Sequence, residues 1–532
     1  MQVYSVNGLT RIRPRAAPRP PEPIIIRAAR NEFEPFQVVV LAGTGGLHGV
    51  DVQVTDLRPG NGPVISRDHI RLFREHVLTV SKPTRYSKDG TGDYPDALIP
   101  WPDRSQKAEG ASPRFVAAPF DVAPGANQVI WVDVFVPKGT LPGAYSGTLT
   151  VSAQGQKPAS IAIQLMVWNF TLPDTPSLRS NFGGIDNHVA KAHHLVPGST
   201  EFRTVQRRYA AAMAEHRLCP PIPDYLMPKI LPDGSVDPSA THAALKEWID
   251  TFHVTGIPID FIGDDPLGKD RERNTRFFQS IYAYLKTNGW EKYAYNYVLD
   301  EPNDSAAYEL VRRRARLIHD SQPGIKVLCT EQPTPEQAAW GTLVGSVDIW
   351  VPLWTLYDEP AANARLAAGE ELWSYTALCQ GSPSKHTPYW EMDFPLLNYR
   401  IPGVMSWRHG MTGLLYWTMV YWEKTDDVWT NPLTYQQYNG EGSLFYPGAD
   451  AGFAGPVASI RLKQIREGIE DYEYLALLAR TGQKAFADNC ARQLASSWTN
   501  WDEDTAHLYS IREEMAEKLN SINPTASAPG AH

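Results

Sequence analysis

The stretch Tyr293-Ala-Tyr-Asn-Tyr-Val-Leu-Asp-Glu-Pro-Asn-Asp304 decides the fold of the central part of the chain. It begins with an aromatic and apolar run that is typical of a β-strand, and the Asp-Glu-Pro sequence ends that run. Residues 306–321 then follow a helical pattern of apolar positions. The stretch therefore predicts a strand followed by a helix, with two adjacent carboxylates where the strand ends.

The same alternation of short apolar segments and amphipathic helices continues on both sides of this unit. Candidate strands end near Phe182, Leu218, Ile262, Val298, Leu328, Trp350, Trp373 and Trp417. Eight strands that alternate with helices over about 240 residues are what a (β/α)8 barrel requires, whereas a doubly wound sheet would leave the last strands without a natural place. We therefore expect residues 173–455 to form a (β/α)8 TIM barrel.

The residues before the barrel follow a different pattern, in which short alternating runs are separated by Pro and Gly turns. These β-rich runs lie at 36–41, 129–136, 143–151 and 161–168. No long helical periodicity interrupts them, so residues 1–172 are predicted to form a β-sandwich. The sequence Leu172-Pro-Asp-Thr-Pro-Ser177 breaks the pattern and marks the boundary with the barrel.

The residues after the barrel return to a helical pattern. Residues 456–522 are predicted to form C-terminal helices packed on the barrel, and residues 523–532 a flexible tail. The first of these helices has an apolar stripe of Ile460, Ile465, Ile469 and Tyr472, and we expect its Arg and Glu side chains to pair on the outer face. The fold class is thus multidomain, β plus α/β.

Composition narrows the classes of function. The chain has 50 Lys and Arg against 59 Asp and Glu, a net charge of −9, and no basic stripe, so nucleic acid is not expected as a partner. No segment has the roughly 18 uncharged apolar residues of a membrane helix, so membrane insertion is not expected either. The four cysteines and the histidines lack metal-ligand spacing, and no phosphate loop is present, so no cofactor is implied.

Cellular location and assembly stay open in the sequence. The first 14 residues lack the apolar core of a signal peptide. Either the chain is cytoplasmic, or it is secreted or periplasmic and this sequence begins after the cleavage site, which is the expectation that we prefer. The surface of a sandwich beside a barrel also leaves room for a homodimer.

Asp300 and Glu301 are the candidate catalytic residues. Catalytic groups of barrels lie at the carboxyl ends of strands, and two acids there could share the work of cleaving a glycosidic bond. Adjacent side chains flank one anomeric carbon poorly, however, so a 2-acetamido sugar that supplies its own nucleophile suits them better. The competing interpretation is structural: the acidic run could only start a helix, with Asp304 or Ser305 as the N-cap.

Several segments resemble glycoside hydrolase family 123 over nearly the whole chain. They are Ala28-Ala-Arg-Asn-Glu-Phe-Glu-Pro-Phe-Gln37, Leu141-Pro-Gly-Ala-Tyr-Ser-Gly-Thr-Leu-Thr150, Val298-Leu-Asp-Glu-Pro302, Gly413-Leu-Leu-Tyr-Trp417, Phe445-Tyr-Pro-Gly448 and, most distinctively, Pro456-Val-Ala-Ser-Ile-Arg-Leu-Lys-Gln-Ile-Arg-Glu-Gly-Ile-Glu-Asp-Tyr-Glu-Tyr474. The resemblance implies a β-sandwich before a catalytic barrel, and exo-acting β-N-acetylgalactosaminidase activity with retention through an oxazolinium intermediate. It also implies that Asp300 assists the acetamido group and that Glu301 is the acid/base.

A sugar held at this pair needs a ring platform and polar partners from other strand ends. Trp417, after the eighth candidate strand, is the predicted platform, although it could instead be an interior barrel residue. Further candidates for substrate binding are Asn187, His188, Tyr297, Glu331, Trp354 and Tyr375. Each of them could equally be structural.

Two other functions stay open. The first is a retaining glycosidase that acts on a sugar without an acetamido group, with Glu301 as acid/base and Glu331 or Glu391 as a separate nucleophile. The second is a carbohydrate-binding protein with a degenerate barrel, although binding alone does not need two adjacent carboxylates. The galacto or gluco configuration of the sugar, its linkage and the natural glycoconjugate also stay open.

Overall fold

The computed structural model describes residues 1–20, 23–101, 113–382 and 386–522. The predicted flexible tail, residues 523–532, lies outside the described residues. Within the ranges given, no helix is long and apolar enough to cross a membrane.

The first part of the chain consists of short strands. They are β1 (Gln2–Asn7), β2 (Ile24–Arg30), β3 (Glu32–Leu41), β4 (Leu47–Val54), β5 (Arg58–Pro59), β6 (Ile70–Val80), β7 (Gly92–Pro100), β8 (Phe120–Val122), β9 (Asn127–Val136), β10 (Gly143–Ser152) and β11 (Ala159–Thr171). One sheet has the order β1-β3-β9-β6-β7 and is antiparallel throughout. The other has the order β2-β11-β10-β4-β8, with β5 beside β10, and only its β2–β11 pair is parallel.

The two sheets form the predicted β-sandwich. Alternate side chains such as Val38 and Val40 on β3 and Leu165 and Val167 on β11 are buried in one shared core. Successive side chains of a strand point to opposite faces of the sheet, so the alternating apolar residues in the sequence are the ones that face this core.

The second part of the chain alternates strands with helices. Its elements are β12 (Arg179–Asn181), α1 (Asn187–Ala192), α2 (Thr200–Glu215), β13 (Lys229–Ile230), β14 (Val236–Asp237), α3 (His242–Phe252), β15 (Ile257–Pro258), α4 (Arg271–Thr287), β16 (Ala294–Leu299), α5 (Ser305–Ser321), β17 (Lys326–Cys329), β18 (Ile349–Trp350), α6 (Glu359–Ala367), β19 (Glu371–Tyr375), α7 (Leu397–Arg408), β20 (Gly413–Leu415), β21 (Leu433–Tyr435), β22 (Tyr438–Asn439), β23 (Phe445–Pro447) and β24 (Pro456–Ala458).

A parallel sheet with the order β12-β20-β19-β18-β17-β16-β15 forms the centre of this domain. The sheet curls, as shown by the side-chain amide of Asn181 on β12, which donates at 2.8 Å to the hydroxyl of Tyr295 on β16, near the other end of the strand order. Tyr295, Trp373 and Leu415 are buried together inside the curl. The fold class predicted from the sequence, β plus α/β, is confirmed.

The prediction of a closed eight-stranded barrel is wrong in one respect, since the described residues form seven hydrogen-bonded strands. The segment after Leu218, the second candidate strand, lies in the gap between β12 and β15: the N–H of Cys219 donates to Ser180, and the N–H of Thr255 donates to the Cys219 thiol. The sequence Leu218-Cys-Pro-Pro-Ile-Pro223 explains the missing ladder, because proline has no N–H to donate.

The chain ends in a helical region with α8 (Ile460–Arg480), α9 (Lys484–Leu494), a small hairpin of β25 (Ala495–Ser497) and β26 (Asn500–Trp501), and α10 (Thr505–Ile522). The expected outer charged face of α8 is wrong, because its Arg and Glu side chains from Arg461 to Glu473 are buried. They bond to other elements: Arg461 to Asp96 and Arg466 to Asp133, both in the sandwich. A helix pattern cannot show this, since the partners come from another domain.

Candidate active site

Asp300 and Glu301 follow β16 directly, at the carboxyl edge of the curled sheet. The N-cap expected at Asp304 or Ser305 is confirmed at Asp304, whose side chain accepts the N–H of Ala307 at 2.7 Å, so neither Asp300 nor Glu301 caps α5. Both side chains are exposed at the edge of the sheet where barrel enzymes bind their substrates. The geometry therefore favours the functional interpretation of the pair over the structural one.

Asp300 is held by two hydroxyl groups. The Tyr297 hydroxyl donates to its Oδ1 at 2.6 Å, and the Thr330 hydroxyl donates to the same oxygen at 2.9 Å. Burial raises the pKa of Tyr297, as does the neighbouring Asp300 carboxylate, so its hydroxyl keeps the proton that it donates. One oxygen of Asp300 is thereby fixed, and its other oxygen can face a ligand.

Glu301 turns away from its neighbour. Its φ of 40° lies in the left-handed region, which costs a non-glycine residue free energy and is found mainly where a site requires it. The N–H of Glu301 donates to Thr330 Oγ1 at 2.9 Å, and the Tyr375 hydroxyl donates to Glu301 Oε1 at 2.5 Å. Two consecutive carboxylates are thus directed to different partners, as a strand turning into its loop allows.

Glu331 lies beside this pair, after β17. Its side chain is buried, and burial raises its pKa to about 7 although the N–H of Gln332 donates to Glu331 Oε1 at 3.3 Å. The Glu301 carboxylate raises the pKa of Glu331 further. A carboxyl group that is half protonated near neutral pH can donate a hydrogen bond as well as accept one.

Trp417 lies at the neighbouring edge of the site. Tyr375 pairs in register with Leu415, so Trp417 follows the strand next to the one that carries the Glu301 partner. Its ring is partly exposed and packs against Tyr421 and Tyr435, with ring centroids 4.8 and 5.6 Å away. A partly exposed aromatic surface of this kind suits the C–H face of a sugar.

Two predicted binding residues have other roles. Trp354 is 2% exposed and stacks on Trp498 with ring centroids 4.7 Å apart, so this prediction is wrong: the sequence could not show that its short 3-10 turn points into the core. His188 uses both ring nitrogens, bonding to Asp186 at 2.6 Å and to the carbonyl of Val420 at 2.8 Å. The side chain of Asn187 lies outside the described residues.

Two further residues beside the carboxylates and Trp417, Thr330 and Glu441, are not among those that the sequence pattern predicts. Thr330 follows β17 as Asp300 follows β16, so the rule that selected the carboxylates could also have selected it. Glu441 lies in a loop far beyond β20, and its role depends on a bond to Trp417 that no local pattern reveals. Within the part of the chain that the structure describes, no three His, Cys, Asp or Glu side chains are grouped to hold a metal ion.

Paired carboxylates at the carboxyl edge of a curled parallel sheet, surrounded by hydroxyl groups and aromatic rings, are typical of a glycoside hydrolase. Comparison with known families agrees: the sequence model described as "Glycoside hydrolase 123, catalytic domain" matches residues 201–478, and "Glycoside hydrolase 123 N-terminal domain" matches residues 21–153. The first match spans more than half of the chain. The chain therefore belongs to glycoside hydrolase family 123, which confirms the resemblance seen in its motifs.

One solved structure supports the fold. A family 123 glycoside hydrolase from Clostridium perfringens, described in a study of glycolipid glycan hydrolysis, aligns over 98% of both chains with a TM-score of 0.71 and 13% identity. A family 39 glycoside hydrolase from the gut symbiont Bacteroides cellulosilyticus aligns over 81% of this chain and 82% of its own, with a TM-score of 0.33 and 11% identity. No curated protein matches the sequence.

Proposed function

We propose that the protein is an exo-acting glycoside hydrolase that releases a terminal β-linked N-acetylhexosamine, most plainly N-acetylgalactosamine, by substrate-assisted retaining catalysis. The observation that carries the proposal is that two adjacent carboxylates are hydrogen-bonded to different partners. Asp300 is held by Tyr297 and Thr330, and Glu301 by Tyr375. One carboxylate can therefore orient the acetamido group while the other reaches the glycosidic oxygen.

In the first step the acetamido oxygen of the substrate attacks C1. The C1–O bond breaks, and Glu301 transfers its proton to the departing oxygen while Asp300 stabilises the positive charge on the acetamido nitrogen. Glu301, now ionised, then removes a proton from water, which attacks C1 of the oxazolinium ring and restores the acetamide. Two inversions give retention, and one water is consumed for each bond cleaved.

The residues available as a separate nucleophile support this choice. Glu391 is fully buried, so it cannot contact a sugar. Glu331 is buried as well, with 6% of its surface exposed, so its carboxylate is poorly placed to attack a sugar. The printed subject of the Clostridium perfringens study, glycolipid glycan hydrolysis, is compatible with a glycoconjugate substrate but concerns that enzyme.

The test compares three aryl glycosides: the 2-acetamido-2-deoxy-β-galactoside, its gluco epimer and the plain β-galactoside. We expect the wild type to cleave an acetamido substrate and to leave the plain galactoside intact. Asp300→Asn and Glu301→Gln should each lower kcat by a factor of about 100 or more. Cleavage of the plain galactoside, or an Asp300→Asn variant with unchanged kcat, would instead point to a separate nucleophile.

A further inference from the structure

Glu441 lies in the loop between β22 and β23 and makes contacts that join two other loops of the site. Its Oε1 accepts the indole N–H of Trp417 at 2.6 Å and the backbone N–H of Leu378 at 3.2 Å. Leu378 is three residues beyond Tyr375, the hydrogen-bond partner of Glu301. One carboxyl oxygen thus connects the aromatic platform to the loop that follows the Glu301 partner.

We propose that Glu441 is a positioning residue, which fixes the ring of Trp417 relative to Tyr375 and so sets the distance between a bound sugar and Glu301. This inference rests on the proposed function, because it takes Trp417 as the sugar platform. Glu441 acts through Trp417 and not by contact with the substrate, since its side chain is 1% exposed.

Further groups of the protein surround the Glu441 carboxyl group. Beside the two N–H donors, the Tyr416 hydroxyl also hydrogen-bonds to Glu441, and that hydroxyl in turn accepts the N–H of Gly442 at 2.8 Å. Burying a carboxyl group is unfavourable unless hydrogen bonds compensate for the lost water. A buried acid with these partners is therefore best explained by the groups that it holds.

The residue after Glu441 supports the same role. Gly442 has a φ of 66°, and a Cβ atom built there would lie 2.5 Å from the Trp417 ring. Glycine thus allows the loop to lie directly against the indole. Tyr421 and Tyr435 pack on the same ring and on each other, with centroids 5.6 Å apart. The Trp417 ring is therefore hydrogen-bonded to Glu441 through its N–H and packed against Tyr421 and Tyr435.

A platform that moves by a fraction of an ångström changes the attack geometry at C1, and small misplacements of this kind reduce rates strongly. Glu441→Met removes the acceptor at similar size. We expect it to raise KM about tenfold and to lower kcat about tenfold, whereas Glu441→Gln, which keeps an acceptor oxygen, should stay within about threefold of wild type in both.

Glu370 offers a matched control, since its Oε2 accepts the indole N–H of Trp350 at 2.5 Å away from the site. Glu370→Met should leave KM and kcat unchanged in folded protein. The indole N–H signal of Trp417, assigned with Trp417→Phe, gives a direct readout, because loss of a strong acceptor shifts it upfield. It should move in Glu441→Met and stay near its wild-type position in Glu441→Gln.

A double-mutant cycle completes the test. In the Trp417→Phe background, which keeps a ring but has no N–H, Glu441→Met should lose most of its effect on KM and kcat. An unchanged effect there, or wild-type kinetics in Glu441→Met alone, would overturn the inference. Failure of the proposed function looks different, since the plain β-galactoside would then be cleaved or Asp300→Asn would keep its kcat. If Glu441→Met does not fold, a Glu441→Gln variant as inactive as the Asp300 variant would also overturn it.

Discussion

The Tyr375 hydroxyl donates a 2.5 Å hydrogen bond to Oε1 of Glu301, although the two residues belong to strands three positions apart in the sheet, β19 and β16. Neighbouring strands lie about 4.8 Å apart, so a flat sheet would separate these strands by about 14 Å. The curl of the sheet brings the two strand ends together. The bond therefore shows that the seven-stranded sheet curls as a barrel does, although the ladder between β12 and β15 is missing.

We expect Tyr375→Phe to lower kcat by about 10- to 100-fold with little change in KM, because the hydroxyl orients the proposed acid/base and an acid/base group contributes factors of this size. Steady-state kinetics on the aryl 2-acetamido glycoside measures both constants. Tyr357→Phe is the matched control, since the Tyr357 hydroxyl is buried without a hydrogen-bond partner. Equal rates for the two variants would mean that Tyr375 does not support catalysis.

Thr330 organises both carboxylates, because it donates to Asp300 and accepts the N–H of Glu301. Thr330→Val keeps the shape but removes both bonds. It should decrease the free energy of unfolding by about 1–3 kcal/mol, the cost of unpaired polar groups, and lower kcat by about 100-fold. Thr330→Ser keeps the hydroxyl and should retain most of the wild-type kcat and free energy of unfolding. Denaturant titration measures the free energy of unfolding, and steady-state kinetics measures kcat. A Thr330→Val variant with wild-type kcat would contradict the proposal that Thr330 orients the two carboxylates.

Much of the barrel could be predicted from the sequence because its strands are short apolar runs bounded by polar residues. Seven of the eight predicted strand ends fall within four residues of an observed strand end. The exception is the segment after Leu218, where an apolar run was given more weight than the prolines that prevent a ladder. Apolar character predicts burial, but pairing also needs N–H donors.

The site was predictable only as far as it follows the strands. Asp300, Tyr297 and Tyr375 sit in or next to strands, so the rule that barrel sites lie at strand ends selects them as candidates. The same rule misplaced Trp354, since a residue after a strand can still turn into the core. Glu441 could not be predicted, because only the folded chain brings its loop to Trp417.

All four cysteines are free thiols and buried. Burial raises the pKa of each, to about 11 for Cys490, so little thiolate forms at neutral pH. We expect the native protein to show no fast reaction with an aromatic disulfide reagent at pH 8, and four equivalents to react in denaturant. Fewer than four in denaturant would reveal a disulfide, and a fast native thiol would show that one of these sites opens.

The buried charges of α8 join the sandwich to the barrel domain, and Asp133 tests how much they contribute. Asp133 on β9 accepts from Arg466 at 3.0 and 3.1 Å, from Lys463 at 2.8 Å and from the indole of Trp131 at 2.7 Å. Burial opposes ionisation, but the two cations outweigh it and hold the pKa of Asp133 well below its ordinary value. Asp133→Asn removes the charge and leaves both cations buried.

Removing one member of a buried ion pair costs about 3–5 kcal/mol, because the remaining charge has lost its compensation. We expect Asp133→Asn to lower the free energy of unfolding by that amount in urea titrations. The control is Asp250→Asn, which breaks the exposed Lys246–Asp250 pair on α3 and should cost about 0.5 kcal/mol or less. If the two variants were equally stable, the ion pairs of α8 would add nothing measurable to the stability of the protein. A larger loss in Asp133→Asn would mean that the buried carboxylate of Asp133 stabilises the contact between the sandwich and the catalytic domain, so that the two unfold as one cooperative unit.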